Sequence, residues 1–106
     1  MLGILPGCSN TNAYEPQAIS CWRGVVRGQL VDVDAGREGR SGDVTQGIVR
    51  VHVQGQQGED IYPTPSKVGA LEIVSVRGSQ FTLSTTDLPT PQYFVFDLDT
   101  RHWVSP

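Results

Sequence analysis

From Cys21 onward, short runs rich in Val, Ile, Thr and aromatic residues alternate with clusters of Gly, Pro, Asp and Ser, the signature of strands joined by turns. No helix is expected. The longest stretch without Gly or Pro, residues 92–105, is aromatic and β-branched rather than rich in Ala, Leu, Glu or Lys. The cleanest pattern is residues 47–54, where Val49, Val51 and Val53 fall on one face and Arg50, His52 and Gln54 on the other, predicting one core face and one solvent face. Residues 22–34 read as a single long strand whose apolar positions start on even numbers (Trp22, Val26, Leu30) and move to odd ones (Val31, Val33). Such a phase switch predicts a bulge or bend, and Gly24 and Gly28 on the even face suggest a close neighbour.

In the second half, Arg77-Gly78-Ser79-Gln80 predicts a tight hairpin between strands at 70–76 and 80–85. Phe81 and Leu83 share its core face. A turn at "TTDLPTP" leads to a strand over 93–98 with Phe94, Phe96 and Leu98 inward. A further tight turn near Asp99-Thr100 leads to a short last strand carrying Trp103. Six strands joined mostly as consecutive hairpins make an all-β antiparallel meander. It must roll up around a shared apolar face, as a small, partly open barrel or, alternatively, a two-layer sandwich.

Two connections invite chemistry. "DVDAGREGRSGD" places Asp32, Asp34 and Asp43 in a Gly-rich loop, but Arg37 and Arg40 interrupt it and its sixth position is not the Gly that a calcium loop needs. A solvated hairpin loop without tight calcium binding is the expectation. Residues 56–69, with Gly58, Pro63, Pro65 and Gly69, are expected to cross between parts of the sheet without regular pairing, "YPTP" taking an extended path.

The first twenty residues differ from all of this. Residues 10–19 are polar, contain Pro16 and show no period, so residues 1–20 read as a tether or signal remnant and 21–106 as one β domain. Leu5-Pro6-Gly7-Cys8-Ser9 resembles the lipobox of bacterial lipoproteins, with Leu three residues before the cysteine and a small residue just before it. Pro6 departs from the small or β-branched residue usual at its position. The resemblance implies lipidation of Cys8, a membrane tether and a cell-envelope or extracellular location. Read from the residues alone, Cys8 is a small apolar side chain in a terminus or half of a disulfide with Cys21. That bridge would close a loop of about 14 residues and stabilise the fold by roughly 3 kcal/mol in the chain-entropy view. Lipidation and the bridge exclude each other.

Charge and length narrow the classes. A chain of 106 residues supports one core. With eight basic and eleven acidic side chains, net charge −3 and no cluster among its seven Arg and one Lys, it lacks the basic field that nucleic acid binding requires. No apolar run approaches bilayer-spanning length. The two histidines sit in no nucleophile, base and carboxylate arrangement. His52 falls on the polar face of its strand, and His102 beside Asp97, Asp99 and Arg101 reads as a charged turn rather than a metal or acid–base cluster. No enzyme, cofactor or metal site is expected. Among the aromatics, Tyr14 lies in the lead-in and Trp22, Trp103 and the three Phe fit packing roles. Tyr62 and Tyr93 are the rings that fall outward and form the candidate binding surface. The reading is a non-enzymatic exported β domain that binds another protein or a surface polymer and is capable of homo-oligomerisation through an edge strand. The alternative is a cytoplasmic, oligonucleotide-binding-type small barrel serving nucleic acid or a larger assembly.

Overall fold

Residues 17–38 and 45–104 are described by a computed structural model. Among them are eight strands and no helix. Sheet 1 contains β1 (Gln17–Val26), β2 (Gln29–Arg37), β3 (Gly47–Val53) and β4 (Asp60–Pro63), and sheet 2 contains β5 (Leu71–Arg77), β6 (Gln80–Thr85), β7 (Tyr93–Asp97) and β8 (His102–Val104). Each sheet is a meander whose neighbours run antiparallel. No backbone ladder joins the sheets into a closed barrel, and the two-sheet arrangement is compatible with a sandwich. Side chains stitch the borders. Ile73 N–H on β5 donates to Ser20 Oγ on β1 at 2.7 Å, and at the opposite border Trp103 Nε1–H donates to Pro63 O at 2.8 Å.

The core lies between the sheets. Val31, Val33, Val49, Val51 and Val53 from sheet 1 meet Leu71, Phe81, Leu83 and Phe96 from sheet 2, and Leu98 closes the cluster. The odd-numbered valines of β3 and the Phe81, Leu83, Phe96 set take the inward positions that their alternation predicts, while Phe94 is half-buried and packs against the cluster. Trp22 meets Phe81 edge-on with centroids 5.0 Å apart. Gly24 makes this possible: a Cβ there would sit 2.4 Å from the Trp22 ring.

The structure departs from the sequence expectation at five points. The strand expected over 22–34 is two strands joined at Arg27-Gly28, whose φ values are +53° and +79°. Both central residues in the left-handed region define the mirror-image turn favoured in two-residue hairpins. The phase switch follows, because in such a hairpin even-numbered residues pair with odd-numbered ones, as in Trp22 with Val33 and Gly24 with Val31. Strand β1 starts at Gln17, inside the segment read as tether. Strand β2 runs on through Ala35, Gly36 and Arg37, where the sequence pattern predicts a loop. Residues 60–63 pair with β3 as a fourth strand; Pro63 is tolerated because β4 is an edge strand and Pro63 ends it. Finally, the face of β3 expected in solvent is closed at one end: Arg50 is buried at 6% exposure and Ile48 beside it at 2%, while His52 is half-buried and Gln54 exposed.

Candidate functional site

The outward face of sheet 1 is a closed charge network. Arg50 on β3 stands directly opposite Asp34 on β2 and pairs with its Oδ2, while its other terminal nitrogen lies 3.6 Å from Glu59 Oε1. Asp34 Oδ1 is buried without a hydrogen-bond partner. Desolvation therefore pushes the Asp34 carboxyl above its ordinary range, and the attraction of Arg50 does not fully offset it. One step along, Arg23 grips Asp32 through two bonds of 2.6 and 3.0 Å. Cys21, opposite Asp34 on β1, is buried and disulfide-bonded.

The outward face of sheet 2 is more open, although Ser84 on it is buried. Three of the four exposed large hydrophobic residues among the described residues lie on it: Val74 at 53%, Tyr93 at 59% and Val104 at 36%. Alternation and register arrange the face in three rows across the strands. The first holds Glu72, Ser84 and Tyr93; the second Ser75, Thr82, Val95 and Val104; the third Arg77, Gln80, Asp97 and His102. Val74 joins the middle row because the register shifts between Ile73 and Ser75, and a bulge places two successive side chains on one side. The result is a β-branched stripe bordered by an acid and a tyrosine at one end and by an arginine and a histidine at the other.

The other sequence candidates fall apart from this face. Tyr62 is half-buried; its ring lies 5.0 Å from Phe96 and its hydroxyl accepts a 2.8 Å bond from Arg101, so it belongs to the border between the sheets rather than to an outward surface. His52 Nε2 lies 3.3 Å from Gln56 O. The residues around His102 are dispersed among separate partners. Asp97 Oδ1 accepts from Ser79 Oγ–H and from the Asp99 and Thr100 N–H groups, Asp99 pairs with Arg27 at 3.2 Å, and Arg101 pairs with Asp60 at 3.1 Å. Among the described residues no three His, Cys, Asp or Glu side chains converge as metal ligands. A cleft of about 150 Å³ lies between the β1–β2 turn and the β7–β8 turn, floored by Val31, Val53 and Leu98, and its rim arginines, 27 and 101, are engaged in those ion pairs. Cys8 with its lipobox resemblance, Tyr14 and Asp43 lie outside the described residues.

Sequence reasoning found Tyr93 through its phase against Phe94 and Phe96. It missed Val74 and Val104, since a bulge residue and the end of a three-residue strand carry no readable period. Compared with known proteins, the chain matches no family profile, no curated protein and no solved structure.

Proposed function

We propose that this is a non-enzymatic exported domain that binds another protein or a surface polymer through the outward face of sheet 2. The observation that carries the reading is the concentration of Val74, Tyr93 and Val104 on one face of one sheet. Exposed apolar side chains gathered in a patch rimmed by polar ones mark interaction surfaces, whereas scattered ones do not. An aromatic at the border of a flat β-branched stripe supplies contact area at low entropy cost. The disulfide at Cys21 favours an oxidising compartment and hence export.

The test compares the wild-type chain with a variant carrying Val74→Ser, Tyr93→Ser and Val104→Ser for binding to cell-envelope fragments by sedimentation. The variant is expected to keep its circular dichroism spectrum and lose binding at least tenfold, about 1.4 kcal/mol. Equal binding by both proteins overturns the reading. Mass spectrometry of the N-terminal peptide from native material assigns Cys8, because a bridge to Cys21 and an acyl chain are mutually exclusive. Either adduct supports export, and an unmodified thiol in cytoplasmic fractions counts against it.

A further inference from the structure

The face described above is self-complementary, and we infer that its occupant is a second copy of the same face, packed about a two-fold axis along the middle row. This rests on the reading of that face as the binding surface. The middle row of Val74/Ser75, Thr82, Val95 and Val104 runs across all four strands. A two-fold axis along it leaves the stripe facing itself and exchanges the two outer rows. Glu72 of one copy then faces Arg77 of the other, twice. Tyr93 of one copy faces Asp97 of the other, whose carboxylate can accept a hydrogen bond from the phenol O–H.

Two observations favour this occupant over a foreign protein, and a third limits how strong the association can be. First, Glu72 and Arg77 are exposed and have no ion-pair partner among the described residues. Five residues apart on one extended strand, they are separated by about 16 Å, too far to pair within one copy. Second, facing sheets pack at about 10 Å, a gap that Glu and Arg side chains span from opposite sides. The alternative axis, along the strands, would bring Arg77 against His102 and leave Glu72 without a partner, so the charges select one geometry. Third, four strands spaced about 4.8 Å apart and about 16 Å long give a footprint near 300 Å² per copy, below the roughly 800 Å² that a stable complex buries per partner. Symmetry repeats every contact in a dimer, which suits a weak, reversible association limited by this area.

Analytical ultracentrifugation of the full chain up to about 1 mM is expected to show a concentration-dependent monomer–dimer equilibrium that weakens with salt. Glu72→Arg and Arg77→Glu are each expected to weaken self-association at least tenfold. An equimolar mixture of the two variants is expected to regain it, since each then supplies the charges that the other lacks. Strand-edge association would leave dimerisation unchanged in both single variants, and that result overturns the proposal, as does a wild-type chain that stays monomeric at the highest concentration. If the chain is monomeric yet the triple serine variant loses envelope binding, the face binds a different partner and only the dimer falls; if that variant loses nothing, the reading of the face falls with it.

Discussion

Arg50 on β3 and Arg77 on β5 both occupy outward positions on antiparallel strands, yet Arg50 is 6% exposed while Arg77 stands in solvent. The residues directly across the ladder also differ. Arg50 faces Asp34 and reaches Glu59, whereas Arg77 faces Gln80. Opposite charges directly paired across strands stabilise one another, and a closed pair can be taken out of water where a lone charge cannot. Sheet 1 has thus turned its charges inward on one another, while sheet 2 leaves Glu72 and Arg77 at the borders of an apolar stripe. The first arrangement closes its charges on one another and the second leaves them exposed beside apolar side chains.

Removing each arginine is the sharpest way to break the comparison. Arg50→Met strands the buried Asp34 carboxylate beside Glu59 and is expected to cost about 3–5 kcal/mol, the usual penalty for breaking one side of a buried pair. Arg77→Met is expected to stay within about 0.5 kcal/mol, as for an exposed side chain with no ion-pair partner among the described residues. Asp34→Asn should cost less than Arg50→Met, because Arg50 keeps Glu59 and the raised pKa of Asp34 shows that its charged form is poorly housed. Urea unfolding of the three variants measures all of this. Equal losses for Arg50→Met and Arg77→Met would mean that the closed network contributes nothing beyond ordinary surface charge.

A second asymmetry concerns how the two sheets present their tryptophans to the core. Trp22 of sheet 1 lies flat over Gly24 on its way to Phe81, while Trp103 of sheet 2 rests against Phe94 and Phe96. Gly24→Ala forces a methyl group into the Trp22 ring and is expected to destabilise by about 1–3 kcal/mol, as overpacking does, with a changed near-ultraviolet circular dichroism spectrum. An unchanged spectrum and melting temperature would show that the indole has room to shift.

The hairpins at the free ends of the two sheets explain what could be read in the sequence. "VVRGQL" and "SVRGSQ" look alike, but only the second was legible as a turn. There Gly78, at φ +59°, takes the first central position and Arg77 remains in the strand. In the first, Arg27 itself occupies a left-handed position usually given to Asn, Asp or Gly, so the run reads as uninterrupted strand. The inward valines of β3 and the Phe81, Leu83, Phe96 set were legible because simple alternation governs both. The Asp34–Arg50 pair was not, since it depends on the register of β2 against β3. Arg27→Asn is accordingly expected to raise stability by about 0.5–1 kcal/mol, because the lost pair with Asp99 is exposed and worth little. A drop in stability instead would show that the Arg27 side chain matters more than its backbone strain.

The smallest effect expected is one of pH, and it sets an aspartate of sheet 2 against Asp34 of sheet 1. At Asp97, partial burial raises the carboxyl pKa. The bonds from the Asp99 N–H, the Ser79 hydroxyl and the Thr100 N–H outweigh it and hold the group below its ordinary value. A carboxyl whose pKa is lower in the folded than in the unfolded chain binds fewer protons when folded, so its contribution is present above the unfolded value of about 3.9 and is lost as pH falls through the folded one. Asp34 has the opposite sign: its raised pKa makes the fold relatively more favourable as pH falls toward the unfolded value. Asp97→Asn keeps an oxygen that can accept the same three bonds but removes the charge that strengthens them. The variant is therefore expected to be slightly less stable than wild type at pH 7, with the gap closing as pH falls below the unfolded value of about 3.9 and through the lower folded one. Asp34→Asn should instead show its deficit against wild type widening as pH falls toward the unfolded value, because only the wild type gains stability as Asp34 takes up its proton. Urea midpoints measured across pH distinguish the two, and a wild-type to Asp97→Asn gap that stays constant down to pH 2 would mean that the turn after β7 is held by geometry alone.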